Sequence, residues 1–185
     1  MTLHPEVQKK AQDELETVIG SDRLPTFSDQ GSLPYVDALM KEVLRWRIVA
    51  PLGVAHRVTT DDAYNGYFIP AGSILIPNIH AMSYDDTVFV DPDTFDPEHF
   101  LDKSIPYPDI AFGFGRRICP GRFLALSSMW ITIASILATF NISKAKDENG
   151  NEIEPVDSYT SGMVSYPIPF KCEIKPRSTV AEALI

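Results

Sequence analysis

Cysteine is scarce: the 185 residues hold only Cys119 and Cys172, far apart and without a CxxC pair. Neither a disulfide framework nor a zinc knuckle is indicated, and a reducing compartment fits best. Positive charge is short as well. Lys and Arg number 16 against 25 Asp and Glu, a net charge of -9, so the chain lacks the cationic surplus that neutralises phosphates. That excludes nucleic acid as a general partner. His4 and His80 have no partner at ligand spacing. No secretory signal or anchor is expected at the start of the chain, where His4, Pro5, Glu6, Lys9 and Lys10 interrupt any apolar run. There is no internal repeat and no low-complexity tract.

One run could be mistaken for a membrane span, Phe123 to Phe140, 18 residues without a charge. It just reaches the length a membrane span needs, about 17 to 25 residues. However, Ser127, Ser128, Thr132, Ser135 and Thr139 are scattered through it and Arg122 abuts it, so a helix buried in protein is the expectation. A hydrophobic share of 44% with 22% charged residues argues against wholesale disorder. The length suits one domain or part of a larger one.

Proline is plentiful. The chain has 15, and several cluster between Pro92 and Pro120, which predicts rigid irregular backbone there. Around that stretch the chain reads as helices with short strands. A first helix opens at Pro5, carries Val7, Ala11, Leu15 and Val18 on one face and stops at Gly20; a second runs from Pro34 to about Arg47, with Val36, Leu39, Met40, Val43 and Leu44 as its apolar stripe. Strands are predicted over Val54 to Val58 and Ile74 to Ile76, with a hairpin turned by Asn65-Gly66 between them. The long apolar helix begins near Gly121, an acidic turn spans Asp147 to Glu154, and a last hairpin holds Cys172 as a structural strand residue. The fold class is mainly α with small β-sheets, α+β.

Phe112, Gly113, Phe114, Gly115, Arg116, Arg117, Ile118, Cys119, Pro120 and Gly121 are the most informative residues. The glycines permit tight or positive-φ backbone, and Pro120-Gly121 leads into the apolar helix. Cys119 is thus expected at a helix N-terminus, where free N–H groups and the peptide dipoles favour an anion and so stabilise a thiolate, a soft and strongly donating ligand for iron. A lone cysteine beside an apolar helix is otherwise most often a small buried hydrophobe. A dinucleotide fingerprint is discarded, because its sixth position is Ile118 and no strand precedes it. Arg116, Arg117 and Arg122 give the window from Ile110 to Phe140 a local +3, suited either to an anionic partner or simply to solvent. On the second helix, Glu42 and Arg45 lie away from Val36, Met40 and Val43, and periodicity alone makes them a solvated pair worth a few tenths of a kcal/mol.

Phe112, Gly115, Arg117, Cys119 and Gly121 match every fixed position of the FxxGxRxCxG signature, and Glu42 and Arg45 supply an ExxR upstream in the expected order. On these residues the chain resembles the cytochrome P450 family of haem-thiolate monooxygenases. Tyr67 to Gly72 is similar to that family's GYxIPxG hairpin and Asp96 to Phe100 to its PERF segment, but His99 stands where the family carries arginine. This leaves open whether the usual three-residue network with Glu42 and Arg45 forms; those two can pair across one helical turn. Lys175, Pro176, Arg177 and Ser178 resemble filamentous-fungal members, a hint toward secondary metabolism or detoxification.

The resemblance implies the C-terminal part of the P450 fold over residues 1–185, with the larger N-terminal portion absent. It implies haem b (iron protoporphyrin IX), with Cys119 as iron ligand and catalytic residue, Phe112, Gly115, Arg117 and Gly121 as its cradle, and His56 and Arg57 as partners of the propionates. Glu42, Arg45 and His99 form the structural motif. Gly162, Met163 and Val164 are either a substrate-contacting hairpin tip or a simple surface turn. Arg116 and Arg122 are candidates for docking an NADPH-dependent flavoprotein reductase. The implied reaction consumes O2 and hydroxylates a hydrophobic small molecule. Full-length members work at the cytosolic face of the endoplasmic reticulum membrane; with no anchor expected in this chain, the cytoplasm is the alternative. A non-catalytic haem-binding module, or an inactive truncated product, remains the competing expectation.

Overall fold

The computed structural model describes all 185 residues. The first helix, α1 (Pro5–Ile19), starts with proline in its first turn and ends at Gly20, whose φ of 76° lets its N–H reach Glu16 O at 3.1 Å. Val7, Ala11, Leu15 and Ile19 are its buried face. Val18, expected there, is exposed, because the i, i+4 series from Val7 reaches Ile19 instead. Glu14 on α1 accepts from the N–H groups of Tyr35 and Val36 at 2.9 to 3.0 Å, capping the start of α2 (Pro34–Trp46).

Three short antiparallel ribbons follow the helices. One joins β1 (His56–Arg57) to β4 (Ile74–Leu75), another β2 (Asp62–Tyr64) to β3 (Tyr67–Ile69), and the third β5 (Phe140–Lys144) to β6 (Cys172–Pro176). Asn65 (φ 49°) and Gly66 (φ 83°) make the predicted tight turn between β2 and β3. The strand expected over Val54 to Val58 shrinks to His56 and Arg57, since only these pair with β4, at His56 to Leu75 and Arg57 to Ile74.

Between the ribbons lie α3 (Ile79–Ser83) and a proline-rich irregular stretch holding 3-10 turns Pro97–Leu101, Asp109–Phe112 and Gly115–Arg117. The long helix α4 (Arg122–Thr139) then crosses the core, and α5 (Thr179–Glu182) closes the chain.

Val7, Ala11 and Leu15 of α1, Val36, Leu39 and Met40 of α2, and Trp130, Ala134 and Leu137 of α4 share one core cluster. Two buried glutamines tie it to β5. Gln8 exchanges two hydrogen bonds with the Ile142 backbone at 2.9 and 3.0 Å, and Gln12 donates to Phe140 O at 3.0 Å, so amide side chains satisfy an otherwise open strand edge. The expectation that α4 is buried in protein holds for only part of it: Trp130, Ala134, Leu137 and Thr139 are buried, whereas Phe123 and Leu124 at its start are exposed. It is long and apolar enough to cross a membrane, yet its C-terminal half is seated between α1 and α2.

Candidate functional site

The loop from Phe112 to Gly121 is closed on itself. Cys119 N–H donates to Phe112 O at 2.8 Å, Ile118 N–H to Gly115 O at 3.2 Å and Arg122 N–H to Cys119 O at 3.3 Å. The reversal requires Gly113 at φ 85° and Gly115 at φ 56°, a region side chains rarely adopt. Gly121, the residue before α4, has an ordinary φ of -84°. It stands beside the sulfur: a Cβ there would lie 3.8 Å from Cys119 Sγ, at ordinary van der Waals contact. Cys119 is exposed and in no disulfide. The N–H groups of Gly121 and Phe123 have no backbone partner, as at any helix start, and lie next to it in the chain.

Arg116 and Arg117 on this loop, and Arg57 on β1, are exposed. None forms an ion pair within the chain. Arg57 lies against Gly72 (φ 87°), with Nη2 3.8 Å from where a Cβ would be. His56 is also exposed, but neighbouring strand residues point to opposite faces, so it and Arg57 address different sides of the ribbon. No hydrogen bond joins the β1–β4 ribbon to the cysteine loop. Arg122 turns its guanidinium over the Phe123 ring, 4.4 Å from the centroid.

The solvated surface pair expected from periodicity is overturned. Glu42 and Arg45 are among the most buried side chains in the molecule, at 0% and 1% exposure. Two parallel bonds of 2.7 Å join them, Nε to Oε2 and Nη2 to Oε1. The remaining guanidinium N–H groups go to Ser83 O (3.0 Å), Pro92 O (2.8 Å) and Thr94 O (3.0 Å), so all five donors are used. The second face of α2 is covered by the 3-10 turn Pro97–Leu101, whose Phe100 packs with Ala38 and Phe89. Asp96 N–H also donates to Glu42 Oε1, at 2.8 Å. His99 takes part in the network without an arginine's bonds: its Nδ1 stands 3.5 Å from Glu42 Oε1 and its Nε2 2.6 Å from Val90 O.

Gly162 (φ 131°), Met163 and Val164 form the tip of a narrow loop bridged by Tyr159 and Pro167. Ser165 N–H donates to Val49 O at 2.7 Å, which sets this tip beside the segment leaving α2. Val49, Leu52 and Val54 in that segment are more than half exposed. Sequence reasoning missed these residues; aliphatic side chains flanking Pro51 just past a helix end were the available signal. An apolar cavity of about 510 Å3, lined by Leu39, Val43, Trp46, Phe95, Ile136 and Phe170, holds none of the predicted site residues.

The family model for cytochrome P450 matches residues 1–172. The chain belongs to the cytochrome P450 family. It is 55% identical over 190 residues to cytochrome P450 monooxygenase claR of Ampulloclitocybe clavipes, covering all of this chain and 35% of that protein. It is 50% identical over 192 residues to cytochrome P450 monooxygenase ple1 of Rhodocybe pseudopiperita, covering all of this chain and 36% of that one. The chain therefore spans about a third of the length of these fungal relatives. Among solved structures, a zebra fish cytochrome P450 with abiraterone superposes with a TM-score of 0.83 at 31% identity, covering 95% of this chain and 40% of that one. The fold is a partial P450 fold, helical with small sheets, as the resemblance implies.

The P450 family implies haem, and the donor set can be weighed against it. No group of three or more His, Cys, Asp or Glu side chains could hold a metal ion here. A single free sulfur is therefore suited only to a metal that brings its other ligands with it, as porphyrin iron does. Unpaired guanidinium groups at Arg57 and Arg117 suit carboxylates such as the propionates. The exposed ring of Phe114 suits an apolar macrocycle. The residues fit the group.

Proposed function

We propose that this chain is the haem-binding C-terminal portion of a haem-thiolate monooxygenase, with Cys119 as the protein ligand to the iron of haem b. The observation that carries the reading is the exposed Cys119 sulfur on a closed loop leading into α4, in no disulfide. When bound, haem supplies the activation of O2 and the insertion of one oxygen atom into a hydrophobic organic substrate.

The chain's own residues do the holding. Cys119 would ligate as the thiolate, from its place just ahead of the start of α4. Phe112 fixes the loop through its carbonyl, Gly115 permits the reversal, and Arg117 and Arg57 offer charge-assisted hydrogen bonds to the propionates, whereas His56, on the opposite side of the ribbon from Arg57, does not join them. Met163 and Val164, with Val49 and Leu52 nearby, offer apolar contacts for the substrate. Arg116 and Arg122 offer positive charge to an acidic surface of an NADPH-dependent flavoprotein reductase. The whole protein would work at the cytosolic face of the endoplasmic reticulum membrane.

The carbon monoxide difference spectrum of the reduced, haem-loaded protein tests the ligand. Cys119→Ser should abolish the thiolate-type band, because a serine hydroxyl is neither ionised nor soft enough to replace sulfur. Cys172→Ser, on β6, should leave it unchanged. A thiolate-type band that survives Cys119→Ser would sink the assignment.

A further inference from the structure

Each ring nitrogen of His99 faces an oxygen that can only accept, one at hydrogen-bond distance and one farther off. Nine-tenths of the side chain is buried in the 3-10 turn Pro97–Leu101. Nε2 lies 2.6 Å from Val90 O. Nδ1 is buried without a hydrogen-bond partner, and Glu42 Oε1 stands 3.5 Å away. That oxygen already accepts from Arg45 Nη2 at 2.7 Å and Asp96 N–H at 2.8 Å, so the ring is not a third close donor to it. A neutral imidazole has one N–H and one lone pair. With the proton on Nε2, the lone pair of Nδ1 faces a carboxylate oxygen; with the proton on Nδ1, the lone pair of Nε2 faces a carbonyl oxygen at hydrogen-bond distance. Only the imidazolium presents a positive N–H to both.

The charges around His99 are mostly negative. Glu42 and Arg45 face it from α2, and they neutralise each other. Asp96 and Glu98 flank it on its own turn, Asp91 comes from the preceding loop and Asp102 from the following one, and these four acids line a cavity of about 290 Å3 with His99 as its only basic residue. Glu98 is paired with Lys10. Asp96 accepts from Glu98 N–H and Asp102 from Ser104 N–H. The edge of His99 also meets the Phe89 ring at 5.7 Å.

We propose that His99 is a proton-dependent positioning residue, whose imidazolium form clasps the Pro97–Leu101 turn to the Glu42–Arg45 pair and whose neutral form loosens it. Stability contributed this way is present while the ring carries its second proton and is lost when it does not. A permanently charged side chain in the same place would have no such dependence.

Urea unfolding of the full 185-residue chain, followed by Trp46 and Trp130 fluorescence, tests it at about pH 5.5 and about pH 8. The advantage of the native chain over His99→Gln in folded-to-unfolded ratio should be about 5-fold larger at the lower pH, in keeping with a partly buried ion pair. His99→Arg, compared with His99→Gln, should show the same ratio at both pH values. The background from His4, His56 and His80 is common to all three. Equal native-to-His99→Gln ratios at the two pH values overturn the proposal. If His99→Gln does not fold, the native chain against His99→Arg decides: a pH dependence of stability shared by both overturns it equally.

Discussion

Arg45 and Glu42 meet in two parallel hydrogen bonds of 2.7 Å with neither residue more than 1% exposed. Arg45 also holds three carbonyls, at Ser83, Pro92 and Thr94, so one side chain pins the irregular stretch after α3 to α2. Removing it leaves a carboxylate buried without its cation and three carbonyls without donors. Arg45→Ala should cost about 3 to 5 kcal/mol, the usual effect of breaking a buried pair on one side. Arg45→Lys should recover only part of this, since an ammonium has three donors and no planar fork. Urea unfolding measures both, and a loss within that of an exposed pair, under about 1 kcal/mol, would count against the network's structural role.

Haem retention should depend on the unpaired arginines. Arg117→Ala is expected to speed haem loss to an excess scavenger by about 10-fold, the equivalent of one charge-assisted hydrogen bond, and Arg57→Ala to speed it by less. Arg117 ranks higher because it sits on the cysteine loop itself, whereas Arg57 lies on a ribbon that makes no hydrogen bond to that loop. Unchanged loss rates in both variants would argue that the propionates are held elsewhere.

Asp29 gives a pH prediction remote from the site. A side-chain hydrogen bond from Arg23, followed by the backbone and side chain of Thr26, holds its carboxyl well below the usual carboxylate range. A depressed value means that the stabilisation is fully present above the ordinary carboxylate range and is lost as pH falls through it toward the folded-state value. Asp29→Asn should therefore lower the melting temperature at neutral pH and make little difference in strong acid. A deficit that stays constant from neutral pH into strong acid would show that the ionised carboxylate is not responsible.

The two helices that open the chain are legible because i, i+4 apolar spacing survives in Val7, Ala11, Leu15 and in Val36, Met40, with proline opening each. The cysteine loop is legible because its glycines and Cys119 occur at fixed spacing within ten residues. Burial of Glu42 and Arg45 is not, because their partners lie 38, 47 and 49 positions away in backbone without periodicity. The same holds for Gln8, whose polar side chain reads as surface until Ile142, 134 positions on, is set beside it. Val54 to Val58 looks like a longer strand because β-branched residues favour pleated backbone wherever they fall, while pairing needs a partner strand, and β4 supplies only Ile74 and Leu75.

Purified by themselves, with reductase, O2 and NADPH, the 185 residues should show no substrate turnover, even if they capture haem. In the proposed role Cys119 would supply a ligand on one side of the iron only. The other side needs a dry, enclosed pocket, because water exclusion strengthens the electrostatics of the reacting centre and suppresses side reactions. In this structure Cys119, Phe123 and Leu124 are open to solvent, and the cavity of about 510 Å3 is lined by none of the candidate haem contacts. The relatives whose names say monooxygenase are about three times as long as this chain. Exposed Phe123 and Leu124 should also promote self-association, seen as a concentration-dependent rise in light scattering. Their replacement by serine should reduce that scattering while leaving the core residues Trp130, Ala134 and Leu137 in place. Oxidation of a hydrophobic substrate coupled to NADPH consumption by the isolated chain, and lost in Cys119→Ser, would show that these 185 residues suffice as an enzyme.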